Sequence, residues 1–319
     1  MLFRFLCAAL FLAFTRSATA AYPDRPIRLI APFAPGGNID ITARTVAPGL
    51  TEQLGQPVVV ENRGGAGGRI GTEIVAKSAP DGYTLLLGSS GSLTVNPAFA
   101  AVPSYDPLKD FAPTSLVSIV PLLLVTHPSL PVNSAREFIA LAKAKPGTVM
   151  MASAGTGSNT HLTGELFQVT VGIKLTHVPY KGSGPALIDL MGGQTHCIFD
   201  QVSTSAPHVN AGKLRAIAVA AAKRSPLLVA VPTMEQAGVR GFEASTYTGI
   251  FLPSATSKDI VNRVYTALLK VLDQAATRDA FTRLGADVIK STPEELTRRL
   301  SSDLAKWKKV QQQTGIKLD

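Results

Sequence analysis

Short β-rich runs alternate with amphipathic helical stretches along most of the chain, and this alternation restricts the fold more than any other feature. Strands are predicted at 27–33, 58–60, 84–87, 148–152, 174–178, 196–199 and 215–221, with a further apolar run at 121–126. Helical spacing of apolar residues appears at 39–54, 70–79, 160–170, 185–191 and 203–210, and a capping box at 134–137 opens another helix to about 144. Pro48 falls inside the first of these helices and predicts a kink, at a cost of about 3 kcal/mol. Two further helices are predicted, one from near 256 to about 275. The other starts with Thr292 as N-cap, Pro293 in the first position and Glu295 in the third. Its Leu296, Leu300, Leu304 and Trp307 form one stripe. Strands alternating with helices imply parallel sheets covered by helices on both faces. The strands are too few and the helices too irregular for a closed eight-fold barrel, so two small α/β lobes are expected.

The N-terminus carries Arg4, an apolar run at 5–14 and a small-x-small site at Ala18-Thr19-Ala20. This predicts a signal peptide over 1–20, too short in its apolar part to span a bilayer. No later run reaches about 18 apolar residues, so no membrane helix is expected. Cys7 would leave with that segment, and the one remaining thiol, Cys197, has no partner for an intramolecular disulfide. The 31 Lys and Arg against 22 Asp and Glu give +9, but no basic run exceeds two residues. Such thin positive charge excludes a nucleic-acid footprint and suits a small anionic ligand.

Three predicted strand-to-helix turns are rich in glycine and hydroxyls. They are Ala34-Pro35-Gly36-Gly37-Asn38-Ile39-Asp40, Gly88-Ser89-Ser90-Gly91-Ser92, and Ser153-Ala154-Gly155-Thr156-Gly157-Ser158-Asn159-Thr160-His161. Ligands of open α/β sheets bind beyond the carboxyl ends of strands, where helix N-termini offer N–H donors and partial positive charge. Glycine allows close approach of backbone to ligand. Two turns in one lobe and one in the other would grip a small carboxylate across a cleft. Each turn also reads simply as a helix cap. Asp40 reads either as a first-turn acid serving the helix dipole or as a grip on an ammonium, a hydroxyl or a water. The Gly-rich loop 62–71 matches neither a dinucleotide fingerprint nor a P-loop and reads as a structural turn.

Catalytic and metal motifs are missing: there is no G-x-S-x-G, H-E-x-x-H or C-x-x-C. His196 and Cys197 are adjacent on a strand and point to opposite faces, which argues against a shared metal. Cys197 is expected to be an inert core thiol. His161 reads equally as cleft-facing or as packing, and Lys181 as a solvated loop cation. Asp200 ends an apolar strand, an expensive place for a carboxylate without partners, and reads as site-lining or hinge-bracing. No metal and no cofactor are expected.

Several motifs together resemble the Bug proteins, the extracytoplasmic solute receptors of tripartite tricarboxylate transporters. They include Tyr22-Pro23-Asp24-Arg25-Pro26-Ile27, Pro32-Phe33-Ala34-Pro35-Gly36-Gly37 with Asp40, and Val60-Glu61-Asn62-Arg63. Asp81-Gly82-Tyr83-Thr84-Leu85, His161-Leu162-Thr163-Gly164-Glu165 and Val178-Pro179-Tyr180-Lys181-Gly182 extend the likeness over essentially the whole chain beyond residue 20. The resemblance implies a periplasmic α/β clamshell of the type II, Venus-flytrap kind with the ligand in an interlobe cleft. Lobe one is expected at 21–120 plus 253–319 and lobe two at 121–252, with stiff crossovers near 121–126 and 246–252. The implied ligand is a small carboxylate: a di- or tricarboxylate, an amino acid or an aromatic carboxylate. The implied contacts are Phe33, Pro35, Gly36, Gly37 and Asp40, with Ser89 and Ser90, and Ser153, Gly155, Thr156, Gly157, Thr160 and His161. Asp200 and Tyr247 complete the set; Tyr247 stands where many members have Trp. The implied partners are the transporter's membrane permease subunits, or alternatively a sensor kinase, with the receptor itself a monomer. A periplasmic hydrolase or isomerase on a similar fold would require a buried Ser–His or carboxylate pair in the cleft.

Overall fold

The computed structural model describes residues 22–316; the predicted signal peptide lies outside them. Two βαβαβ units form the framework. The first comprises β1 (Ile27–Ala31), α1 (Asn38–Leu54), β2 (Val58–Asn62), α2 (Arg69–Ala76) and β3 (Thr84–Ser89), its strands parallel in the order β2-β1-β3. The second comprises β5 (Met150–Ser153), α5 (Asn159–Val171), β6 (Thr176–Pro179), α6 (Ser183–Met191) and β7 (Cys197–Gln201), parallel in the order β6-β5-β7. In both units the first strand is central, so the first and second helices start from neighbouring strand ends.

Between the units, a π-helical turn (Gly91–Val95) runs into α3 (Asn96–Phe99), followed by β4 (Phe111–Thr126) and α4 (Ala135–Ala144). After them come α7 (Val202–Asn210), β8 (Arg215–Val219), β9 (Ser245–Pro253), α8 (Lys258–Asp273), α9 (Ala275–Arg283), β10 (Asp287–Val288) and α10 (Pro293–Thr314). β4 ties the halves together. From Phe111 to Pro121 it pairs antiparallel with β9, which in turn pairs with β3. From Leu122 to Thr126 it pairs with β7, and alongside with β8. The strand therefore begins about ten residues before the apolar run that predicts it. Thr114, Ser115 and Ser118 break the apolar pattern there, yet all three are fully buried. Each is satisfied: Thr114 donates to the Ile250 carbonyl, Ser115 accepts from Ser291 N–H, and Ser118 meets the Thr248 hydroxyl at 2.9 Å.

α1 buries Ile39, Ala43, Val46, Ala47, Leu50 and Leu54, the predicted stripe, within the same core cluster as Val264, Leu268 and Val271 of α8. The helix continues through Pro48, whose ring lies on the exposed side. The predicted helix 256–275 is α8, which ends at Asp273; Gln274 in extended backbone then separates it from α9, a helix not read from the sequence. Cys197 is buried, and burial pushes its thiol well above its ordinary range. At α10 the capping box forms in full: Thr292 Oγ1 accepts from Glu295 N–H, and Glu295 Oε2 accepts from Thr292 N–H at 2.8 Å. Trp307 then packs edge-on against Phe99 at 6.1 Å. Thr292→Ala removes one side of this box and should cost about 1 kcal/mol. The expected readout is a lower urea midpoint with an unchanged slope; an unmoved midpoint would show that the cap contributes nothing.

Candidate functional site

The carboxyl ends of β1, β3, β5, β6 and β7 converge on one half-open cavity. Its wall is formed by Phe33, Gly37, Asn38 and Ile39 at the start of α1, and by Ser89 and Gly91 after β3. Opposite stand Ala154, Ser158, Asn159 and Thr160 at the start of α5, Ser183 at the start of α6, Gln201 from β7 and Thr246 from β9. The space at its centre is about 20 Å3, room for about one water molecule. Among the described residues, no ionisable side chain lines it.

Three helices thus begin at the cavity. Two of them, α1 and α6, have glycine N-caps, Gly37 and Gly182, and no side chain caps their first-turn N–H groups. On α5, Ser158 Oγ accepts from His161 N–H. First-turn amides without caps, together with the helix dipoles, make the cavity electropositive without a cation in it. The lining side chains sharpen this picture. Asn38 Oδ1 accepts from the Ser203 hydroxyl at 2.9 Å, while its Nδ2 is buried with no partner. Asn159 Nδ2 donates to the Ser245 carbonyl and to Thr246 Oγ1, and Gln201 Nε2 donates to the same oxygen. Asn38 therefore carries an unspent amide donor at the cavity wall, where the other two amides are tied up in the frame.

Behind this wall lies a second layer. Asp200 is fully buried beneath Ser183 and accepts hydroxyls from Ser183 (2.6 Å), Thr204 (2.5 Å) and Ser205 (2.9 Å). Burial raises its pKa, and the three hydroxyls partly oppose the rise. Asp40 accepts from Gly36 N–H at 3.0 Å and from Arg44 Nε at 2.9 Å, which fixes the turn before α1. His161 and His177 stack at 3.7 Å between ring centroids. His161 Nδ1 accepts from Gly157 N–H, and His177 Nε2 lies 2.6 Å from Ser153 Oγ. Ser153 Oγ in turn accepts from Gly155 N–H at 3.1 Å. Together these bonds brace the 153–161 loop from its rear. Ser153 and His177 form a Ser–His pair, but Ser153 has no exposed surface and is not on the cavity wall.

A model of the tripartite tricarboxylate transporter family receptors matches residues 42–316. The chain is 42% identical over 298 residues to the protein BugT of Bordetella pertussis, covering 93% of this chain and 91% of that one. It is similar to the solved structure of R. palustris Rpa4515 with adipate, at a TM-score of 0.89 and 36% identity, covering 93% of this chain and 99% of that one. It is likewise similar to MatC (Rpa3494) from Rhodopseudomonas palustris with bound malate, at a TM-score of 0.88 and 34% identity, covering 91% of this chain and 99% of that one. The chain belongs to this receptor family. Its fold is the two-lobed α/β solute-binding fold of the Bug receptors, with the cavity between the lobes.

Of the receptor residues singled out in the sequence, Phe33, Gly37, Ser89 and Thr160 line the cavity. Pro35 and Gly36 lie outside it, in a groove shared with Gly184 and Pro185. Asp40, Ser153, His161 and Asp200 stand in the bracing layer just described. Gly155 and Gly157 take left-handed backbone, φ +120° and +78°, and with Thr156 shape the loop between β5 and α5. Ser90 and Tyr247 face a separate hollow of about 260 Å3, bounded also by Arg299, Asp303 and Trp307. The cavity residues not singled out are Asn38, Ile39, Gly91, Ala154, Ser158, Asn159, Ser183, Gln201 and Thr246. Most of them belong to the three turns already read as ligand-facing. Ser183 sits in Gly182-Ser183-Gly184, a fourth turn of the same kind whose signal was present in the sequence.

Burial, and then the neighbouring His161, lower the His177 pKa from 6.5 to about 4. Between these values the unfolded chain binds a proton that the folded receptor does not, so stability falls as pH drops from about 6.5 to about 4. His177→Gln keeps a polar group beside Ser153 and removes the titration. Urea midpoints taken at several pH values should fall less steeply for this variant than for the parent; equal slopes would show that another group is responsible.

Proposed function

We propose that this receptor captures a small carboxylate in the periplasm and delivers it to the membrane permease subunits of a tripartite tricarboxylate transporter, without chemical change to the ligand. The observation that carries this reading is the pairing of uncapped α1 and α6 N-termini with the unpaired Asn38 amide, around a cavity that no carboxylate side chain lines. Such a set of donors suits an anion and repels none. The relatives solved with adipate and malate support the ligand class. The proposed lobes are residues 21–120 with 253–319, and 121–252. The proposed crossovers are 121–126 in β4, where pairing passes from β9 to β7, and 246–252 in β9. Cleavage after Ala20 would deliver the mature chain as a monomer.

The ligand enters when the lobes hinge apart about β4 and β9 and is held as they close on it. Asp40 serves the reading indirectly. Both its oxygens are engaged with Gly36 and Arg44, so it presets the turn that presents the α1 amides. Hydrolysis of any bound carboxylate ester or amide by the purified protein would overturn the assignment as a receptor.

Thermal-shift and calorimetric titration with malate, succinate, adipate, citrate and aspartate tests the ligand class. A ligand at about 100 times its Kd should add about 2.7 kcal/mol of stability; no shift with any of the five would overturn the proposal. Asn38→Asp preserves the acceptor for Ser203 and replaces the free donor with negative charge. It should weaken the bound carboxylate by about tenfold or more, in line with the 1.5–3 kcal/mol typical of hydrogen bonds to charged groups, and leave the ligand-free melting temperature nearly unchanged. Unaltered affinity would take Asn38 out of the binding set.

A further inference from the structure

The two halves meet main chain against main chain. Ala34 N–H donates to the Lys181 carbonyl at 2.9 Å, joining the loop after β1 to the loop after β6. At the points of closest approach the residue is glycine. A Cβ built on Gly184 would overlap the Pro35 carbonyl oxygen and come within 3.4 Å of the Gly36 Cα. A Cβ on Gly67 would lie 2.7 Å from Ser158 N and 2.8 Å from the Gly157 carbonyl carbon. A Cβ on Gly182 would lie 2.8 Å from Ala34 N. Backbone atoms cannot rotate aside as a side-chain tip can, so each of these positions excludes a methyl group while the halves are closed.

We infer that Gly184 and Gly67 are closure determinants of the receptor: the seam between the lobes shuts because glycine lets backbone meet backbone there, and a methyl group at Gly184 wedges it open. The inference rests on the two-lobed, hinged reading of the cavity given above. Gly184 is the decisive position because its conformation makes no demand of its own. It lies in the first turn of α6 with no left-handed φ, where alanine is the better helix former. All the near atoms around its missing Cβ lie across the seam, in Pro35 and Gly36. Gly67, by contrast, has φ +62°, so a side chain there adds local backbone strain to the clash. The seam acts on binding through geometry. Closing it brings the N-termini of α1, α5 and α6 around one cavity, so a wedge separates the donors that must act together.

Gly184→Ala is tested in two ways that do not share a ligand. In a Cys197→Ser background, Ala34→Cys with Lys181→Cys places thiols on either side of the seam, and disulfide formation under mild oxidant reports closure of the ligand-free protein. Adding Gly184→Ala should slow this cross-link by at least tenfold, while Gly192→Ala at the far end of α6 should leave the rate unchanged. Separately, whichever member of the carboxylate panel binds the parent should bind Gly184→Ala at least tenfold more weakly, with a melting temperature for the ligand-free variant equal to or above that of the parent. A cross-linking rate equal to the parent's overturns the inference whatever the panel shows. A parent that cross-links and is slowed by Gly184→Ala, yet binds no carboxylate, upholds the seam and overturns the ligand reading instead.

Discussion

Peptide N–H groups that find no partner inside their own helices are what the rest of this molecule is arranged around. Neither α1 nor α6 has a side-chain cap, and both point their first turns into one small cavity. A helix end left this way would be costly if buried dry, so it must be answered by water or by an anion. The two βαβαβ units supply the geometry, since a central first strand flanked by the next two brings successive helix starts side by side. Antiparallel β4 and β9 then set the two clusters of helix starts opposite each other.

The second layer keeps these main-chain donors still. Asp40 holds the turn before α1, the His161–His177 stack and Ser153 hold the loop before α5, and Asp200 holds Ser183 at the start of α6. Each brace is polar and is satisfied by hydroxyls, backbone amides or another ring, with charged partners at Asp40, where Arg44 reaches in from the surface, and at His161, whose Nε2 lies 3.6 Å from Glu165 Oε1. That division of labour explains why strongly polar residues of the binding region sit just behind the cavity instead of in its wall.

Much of the fold was legible because its turns carry strong local signals. Glycine and hydroxyl clusters after apolar runs marked β1–α1, β3 and β5–α5, and the Thr292 box marked α10. The first ten residues of β4 were not legible, because Thr114, Ser115 and Ser118 are buried by cross-strand hydroxyl and backbone bonds to partners more than 100 positions away. Within the candidate site, loops read from the sequence line the cavity, but the facing residue was sometimes the neighbour of the one singled out. Successive strand residues point to opposite sides, so Thr246 reaches the cavity while Tyr247 faces the hollow beside α10, and Gln201 lines the wall while Asp200 lies beneath it. Nothing local distinguishes these parities: they follow from register, which pairing with β4 and β3 imposes.

An anchor made of main-chain atoms is also hidden from most amino-acid substitutions. Replacing Phe33, Gln201 or Thr246 would reshape the wall and leave every first-turn amide in place. Lineages of such receptors can therefore drift in what they prefer without passing through an ancestor that has lost its main-chain donors, and selection can act on the wall alone.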